Sequence, residues 1–237
     1  AARLAEAAQH LGRARAALEG EVARLLVAAV ALHPAGFARL DAGRFAAAPE
    51  EVALRALARL LTTVGGGAYP PRLERLERLH ARIVDGLGRG VTPSATLGGC
   101  RLVGGSSGTL VVARELAPVE DAVIEPGRDL LWDGRFEIAL GRGAAGRAPW
   151  RVLPLGRAAL GTLADRVQPA LLAGLPRVAR LALPALHDRG GLAAVPALGC
   201  WRDAASRKAV TFCRFSPKNL LAPAGFTVAY RARHIIS

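Results

Sequence analysis

The chain has 237 residues, of which 51% are hydrophobic and 22% charged; this suits one large or two small globular domains and excludes a disordered or fibrous chain. Its formal charge is +13, and of its 32 basic residues only Lys208 and Lys218 are lysines, the rest being arginine. Guanidinium forks match phosphate oxygens bidentately and stack on bases, so the excess points to an RNA or DNA partner, although heavy use of Ala, Gly, Arg and Pro also admits a nucleotide-composition origin.

Leu4, Leu11, Leu18, Leu25 and Leu32 recur every seventh residue, with Ala7, Ala14, Val22 and Ala29 between them. This predicts a long helix from about Arg3 to His33, closed by Pro34 and packed in a bundle through a narrow seam, with a dimeric coiled coil as the alternative. Gly36 to Pro49 reads as irregular, with Phe37, Leu40 and Phe45 filling gaps. A second helix is expected from Pro49, where Glu50 and Glu51 suit the positive end of the macrodipole. Its buried stripe is Leu54, Leu57, Leu61 and Val64; Arg55 and Arg59 lie on another face; Gly65-Gly66-Gly67 ends it. Pro70 and Pro71 then open a third helix, since proline is tolerated in a first turn. At about 100° per residue, Leu73, Leu76, Leu79, Ile83 and Leu87 form one arc and Arg72, Arg75, Arg78 and Arg82 a second beside it. That second arc is either a row of phosphate contacts or a solvated face with a Glu74–Arg78 pair.

After Pro93 the period changes from helical to two-residue. Thr96 to Val103 and Thr109 to Arg114 predict a β-hairpin around Gly104-Gly105-Ser106-Ser107-Gly108. Ala117 to Gly127 reads as a connector, Leu130 to Leu140 as strand, and Gly141 to Pro149 as a loop carrying Arg142 and Arg147. Helical turns are expected from Arg157 to Leu175, then strands at Ala193–Leu198, Val210–Phe215 and Phe226–Tyr230. The fold class predicted is α+β: an all-helical unit over 1–92, then a loop-rich α+β unit with a β-hairpin over 93–237.

No catalytic constellation is visible. Gly104–Gly108 lacks the Lys-Ser/Thr pair of a phosphate-binding loop and leads into a strand, not a helix N-terminus. There is no GxSxG elbow, no HExxH and no CxxC, and Asp129, Asp133, Asp165 and Asp188 stand singly. A metal site from His187, Cys200 and Cys213 matches no usual zinc spacing. The longest apolar run, Leu25 to Leu32, is far short of the about twenty residues that cross a membrane, so no membrane partner is expected. Arg3 and Glu6 interrupt any signal-peptide pattern, and the reducing cytoplasm is the expected location. The chain begins at Ala1 without methionine, which fits either a trimmed initiator or the tail of a longer protein.

The run Leu54-Arg55-Ala56-Leu57 up to Ala68-Tyr69-Pro70-Pro71-Arg72-Leu73-Glu74-Arg75-Leu76 resembles the helical domain of bacterial tRNA(Ile)-lysidine synthetases. The likeness continues through Thr96-Leu97-Gly98-Gly99-Cys100-Arg101-Leu102 and Leu131-Trp132-Asp133-Gly134-Arg135-Phe136. Leu183-Pro184-Ala185-Leu186-His187-Asp188 and Ala194-Val195-Pro196-Ala197-Leu198-Gly199 extend it, so that it covers most of residues 1–200. The resemblance implies an ATP- and magnesium-dependent ligase that adenylates the wobble cytidine of an isoleucine tRNA and lets lysine displace AMP. In the family that chemistry belongs to an N-terminal domain with a Ser-Gly-Gly-x-Asp-Ser loop, which this sequence lacks. The resemblance therefore implies the tRNA-holding portion, with no cofactor of its own and with Arg55, Arg59, Arg72, Arg75, Arg78 and Arg82 as RNA-binding candidates. A stand-alone RNA-binding module and a helical interaction domain built on the Leu4–Leu32 seam are the alternatives.

Overall fold

The computed structural model describes residues 2–221 apart from 92, 117–118 and 164–166. The expected strand at Phe226–Tyr230 lies outside the described residues. Helix α1 (Ala2–Ala29) stops before the expected His33, because the chain turns there into a hairpin of β1 (Val30–His33) and β2 (Phe37–Asp41). Gly36 makes that turn with φ +76°, a conformation costly for residues with a Cβ. Phe37, Ala38 and Leu40 are buried on both faces of β2, so tertiary pairing overrides the heptad pattern that would carry the helix on.

The stretch expected as irregular thus holds β2 and a short helix, α2 (Ala42–Ala46). Asp41 caps this helix by accepting the Arg44 N–H at 3.0 Å. Helix α3 (Glu50–Gly65) buries Leu54, Leu57, Leu61 and Val64, the stripe read from the sequence, and ends at Gly66 with φ +68°. Helix α4 (Leu73–Gly88) begins later than the proline rule suggested. Pro70 and Pro71 form an extended lead-in, and Arg72 is the residue before the first turn.

Beyond α4 come β3 (Ala95–Leu97), β4 (Cys100–Gly104) and β5 (Thr109–Arg114). The run Thr96–Val103 is split by Gly98 and Gly99, both at positive φ, and β4 and β5 form the predicted hairpin. These strands join the earlier pair in one antiparallel sheet of order β1-β2-β5-β4-β3. Leu40 faces Leu110 and Ala38 faces Val112, so sheet hydrogen bonding crosses the expected division at residues 92 and 93. The first unit is accordingly helical with one hairpin, and the class is α+β.

Downstream lie β6 (Ala122–Ile124), β7 (Asp129–Trp132), β8 (Phe136–Leu140) and β9 (Trp150–Pro154), with a 3-10 turn at Arg142–Arg147 where a loop was expected. Short helices α5 (Gly156–Leu163), α6 (Pro169–Gly174) and α7 (Arg177–Arg180) follow. The chain closes with β10 (Pro184–Asp188), β11 (Gly191–Val195), β12 (Cys200–Trp201), α8 (Ala204–Ala209) and β13 (Val210–Phe215). They complete a second sheet, β12-β11-β10-β9-β6, and a third, β13-β8-β7.

Alternation along the strands places the cores. Leu110 and Val112 of β5 face helices α2–α4 with Leu57, Leu60, Leu61 and Ile83. Val111 and Ala113 face the other way, against Leu155, Leu163, Leu175 and Leu183. A third core, with Trp132, Phe136, Ile138, Trp150 and Val152, lies between the second and third sheets. Each fully buried leucine contributes about 1.5–3 kcal/mol of burial free energy, which sets the orientation of the surface elements these cores hold.

Asp133 joins the layers. It sits in the β7–β8 turn at φ +53°, followed by Gly134 at +63°. Arg114 of β5 donates to both its oxygens, Nε at 2.9 Å and Nη2 at 2.7 Å, and Arg135 donates through Nε at 2.8 Å. Arg135 is 1% exposed, and its two Nη atoms reach the carbonyls of Gly36 and Ala182 at 3.4 Å. Burial pulls its guanidinium below the ordinary arginine range, and the Asp133 charge acts against that pull. Against this turn rests the end of α3, where a Cβ on Gly66 would stand 2.2 Å from the Asp133 carbonyl oxygen.

Candidate nucleic-acid interface

The α4 face is built as its periodicity predicts. Leu76, Leu79 and Ile83 are buried and anchor the helix, while Leu73 and Leu87 at its ends remain exposed. Arg72, Arg75, Arg78 and Arg82 are all exposed. The anticipated Glu74–Arg78 ion pair does not form. Arg78 Nε instead donates to the Glu74 carbonyl at 3.1 Å, and Arg82 Nη2 to the Ser94 carbonyl at 2.7 Å. Both contacts leave the charge uncompensated, and no carboxylate pairs with any of the four among the described residues. A rigid helix thus presents four guanidiniums to solvent, the geometry that phosphate binding requires.

Arg55 and Arg59 are placed differently. Arg55 donates to Glu51 at 2.7 Å, and Arg59 forms a close ion pair with Glu19 of α1. Burial lowers the Arg59 guanidinium from its ordinary value. These two hold α1 against α3, and their charge is largely met. On the Gly141–Pro149 stretch Arg147 is likewise engaged, by Asp188 at 3.3 Å and Asp203 at 2.9 Å, whereas Arg142 is exposed.

A cleft of about 720 Å³ opens beside β4, α5 and α7, with Arg101, Arg157 and Arg177 on its rim. Sequence reasoning missed these three. Arg101 carried one usable signal, as the exposed residue between buried Cys100 and Leu102. Arg157 and Arg177 lie on short helices whose packing no periodicity reveals.

The thiols of Cys100, Cys200 and Cys213 and the His187 imidazole are at least partly buried in the fold. Cys100 is buried, points its Sγ at the Leu61 carbonyl at 3.3 Å, and has its thiol pushed up to about 12 by burial. Cys213 is pushed up to about 12 by the same cause. His33 stacks on Phe37 and accepts the Ala35 N–H; burial, then the Arg39 charge, lowers its pKa. His187 is lowered by burial, then by Arg151. No three His, Cys, Asp or Glu side chains come together as metal ligands among the described residues, so His187, Cys200 and Cys213 form no such group. Gly104–Gly108 is a strand-to-strand turn, with Gly105 N–H donating to the Thr109 carbonyl. Among the described residues no cluster of carboxylates or imidazoles fits the magnesium that the resemblance implies.

Fold and surface define an α+β protein with arginine-bearing faces. Its sequence is similar to tRNA(Ile)-lysidine synthases. The one from Methylobacterium nodulans is 46% identical over 112 residues, 45% of this chain and 33% of that protein. The Ruegeria pomeroyi enzyme is 35% identical over 148 residues, 57% of this chain and 30% of that protein. A Methylobacterium sp. enzyme is 43% identical over 118 residues, covering 48% and 34%. The chain spans about a third of the length of these relatives. No family model matches the chain, and no solved structure matches it. The resemblance to tRNA(Ile)-lysidine synthases is shown by these matches. No helix among the described residues is long and apolar enough to cross a membrane.

Proposed function

We infer that this chain is the tRNA-gripping portion of a tRNA(Ile)-lysidine synthase, working in the cytoplasm. Adenylation and lysine transfer, with ATP and magnesium, belong in this reading to a domain that the chain does not contain, so the chain alone neither binds ATP nor forms AMP. The observation that carries the reading is the α4 face: four exposed arginines with no acidic partner among the described residues, on a helix fixed by Leu76, Leu79 and Ile83. The similarity to tRNA-modifying enzymes supplies the RNA class. The second reading is a helical interaction domain: Leu4 is 77% and Leu11 71% exposed on α1, at the heptad spacing such a seam uses.

The test is tRNA binding as a function of salt. Phosphate contacts release condensed counterions, so affinity should fall steeply as salt rises. Replacing Arg72 and Arg75 by glutamine removes two guanidiniums that make no internal contact. It should weaken binding and flatten the log–log salt slope by about one unit or less per lost contact. Helix content should hold, since glutamine is nearly as good a helix former as arginine. Unchanged affinity and slope in this variant would return the arc to a solvated face.

A further inference from the structure

The cleft beside β4 has a composition the α4 face lacks. Arg101, Arg157 and Arg177 stand at its rim, and its wall is apolar, formed by Leu160, Val178 and Leu181. All three arginines are exposed, and none is bonded to a carboxylate among the described residues. Glu115 is the one acid in the lining among the described residues, and Arg114, also in the lining, is already held by Asp133. Three uncompensated guanidiniums around a hollow call for an anion, yet about 720 Å³ is far more than one phosphate fills. It falls in the range of about 300–1,000 Å³ typical of sites for whole small molecules. A ligand matching both halves carries phosphates on one edge and a flat apolar face on the other.

We propose that this cleft receives one unpaired nucleotide of a bound RNA, with its flanking phosphates on Arg101, Arg157 and Arg177 and its base against Leu160, Val178 and Leu181. The proposal rests on the RNA-binding reading and adds to it a preference for single-stranded over paired segments. A paired base stays in its stack and offers only phosphates, whereas a splayed base can leave the strand and lie on side chains. The arginine arc of α4 does not line this cleft.

Two alterations probe the cleft without touching the cores. Arg157→Gln with Arg177→Gln removes two exposed charges. Gly161→Glu puts a carboxylate into the cleft at an exposed position where an added Cβ meets nothing within 4 Å. Binding is measured for two RNAs, a blunt duplex and the same duplex with a single-stranded overhang, and separately for AMP. The unaltered chain should prefer the overhang RNA, and both variants should lose that preference by about tenfold, the scale of one stacked base. The arginine pair should also flatten the overhang salt slope by up to about 1.4 units, at about 0.7 per phosphate of a single strand. Duplex binding should hardly change, whereas Arg72→Gln with Arg75→Gln should weaken both RNAs alike. Equal weakening of both RNAs by the cleft variants would reduce the cleft to a general phosphate patch and overturn the proposal. Loss of AMP binding with RNA binding intact would make it a free-nucleotide site and overturn it too. Failure of the unaltered chain to bind either RNA would overturn the RNA-binding reading itself, an outcome distinct from failure of the cleft alone.

Discussion

Replacing Asp133 by asparagine should be among the most damaging single-atom-scale changes in the chain. Asparagine tolerates the left-handed backbone at φ +53° and keeps one acceptor oxygen, so the turn itself survives and the change isolates the charge. What is lost is the only carboxylate bonded to Arg114 and Arg135 among the described residues, at 2.7–2.9 Å, while Arg135 remains 1% exposed. Arg114 retains the Gly99 carbonyl at 3.1 Å, and Arg135 keeps two long contacts at 3.4 Å, all to neutral groups. Removing one partner of a buried ion pair costs about 3–5 kcal/mol, because the survivor stays charged and desolvated. For a chain of this size each kcal/mol moves the melting temperature by about 2–4 °C, so a fall of about 6–20 °C is expected. Urea unfolding, followed by far-UV circular dichroism and tryptophan fluorescence, gives the free energy directly; Trp132 flanks the substituted residue and Trp150 lies in the same core. A loss below about 1 kcal/mol, the scale of a surface pair, would refute the claim that this carboxylate holds the layers together.

Acid should act through Asp188 next. Burial alone would raise its carboxyl, but hydrogen bonds from Arg202 and the Gly190 N–H, with the Arg202 charge, hold it below the ordinary range. A carboxylate depressed in the folded state contributes stability that is present above its unfolded value of about 4 and lost as pH falls through the folded value. Asp188→Asn should therefore be less stable at pH 7 and lose part of the decline below pH 4; parallel stability–pH curves would contradict this. Cys100, buried and pushed up to about 12, should resist alkylation at pH 8 in the native chain and react only once unfolding exposes it. Stoichiometric labelling of Cys100 by iodoacetamide without loss of helix signal would show the thiol to be accessible.

What was legible in the sequence is what depends on local repetition. The stripe Leu54, Leu57, Leu61 and Val64 and the arc Leu76, Leu79 and Ile83 could be read because one side of a helix meets one core. The β4–β5 hairpin and the cap at Gly66 followed from glycine chemistry. The β1–β2 hairpin was hidden because Leu25 to Leu32 continues a heptad pattern, and residues 30–33 become a strand only by pairing with β2, which is itself held by distant β5. Leu4 and Leu11 misled for a related reason. At about 1.5 Å per residue, the 28 residues of α1 run about 42 Å against about 24 Å for the 16 of α3, so the first turns of α1 reach past the helix they were expected to cover. The α4 arginines were readable as an arc, while those of the cleft converge only after β4, α5 and α7 have packed.

The order β1-β2-β5-β4-β3 has a consequence for how the protein is made. On the ribosome the hairpin of residues 30–41 emerges before β5, so the inner edge of β2 has no neighbour until Thr109–Arg114 follows. At about 5–20 residues per second, the roughly seventy residues between Leu40 and Leu110 take about 4–14 s to appear. Throughout that interval Phe37, Ala38 and Leu40 lie on an open strand, the kind of edge that pairs with other chains. Helices α3 and α4 are completed within it and can cover one face of the nascent hairpin, but they offer no strand to close its edge. A nascent chain stalled near residue 92 would carry the finished helices α1 to α4 and an unfinished sheet, and would be a natural client for a chaperone.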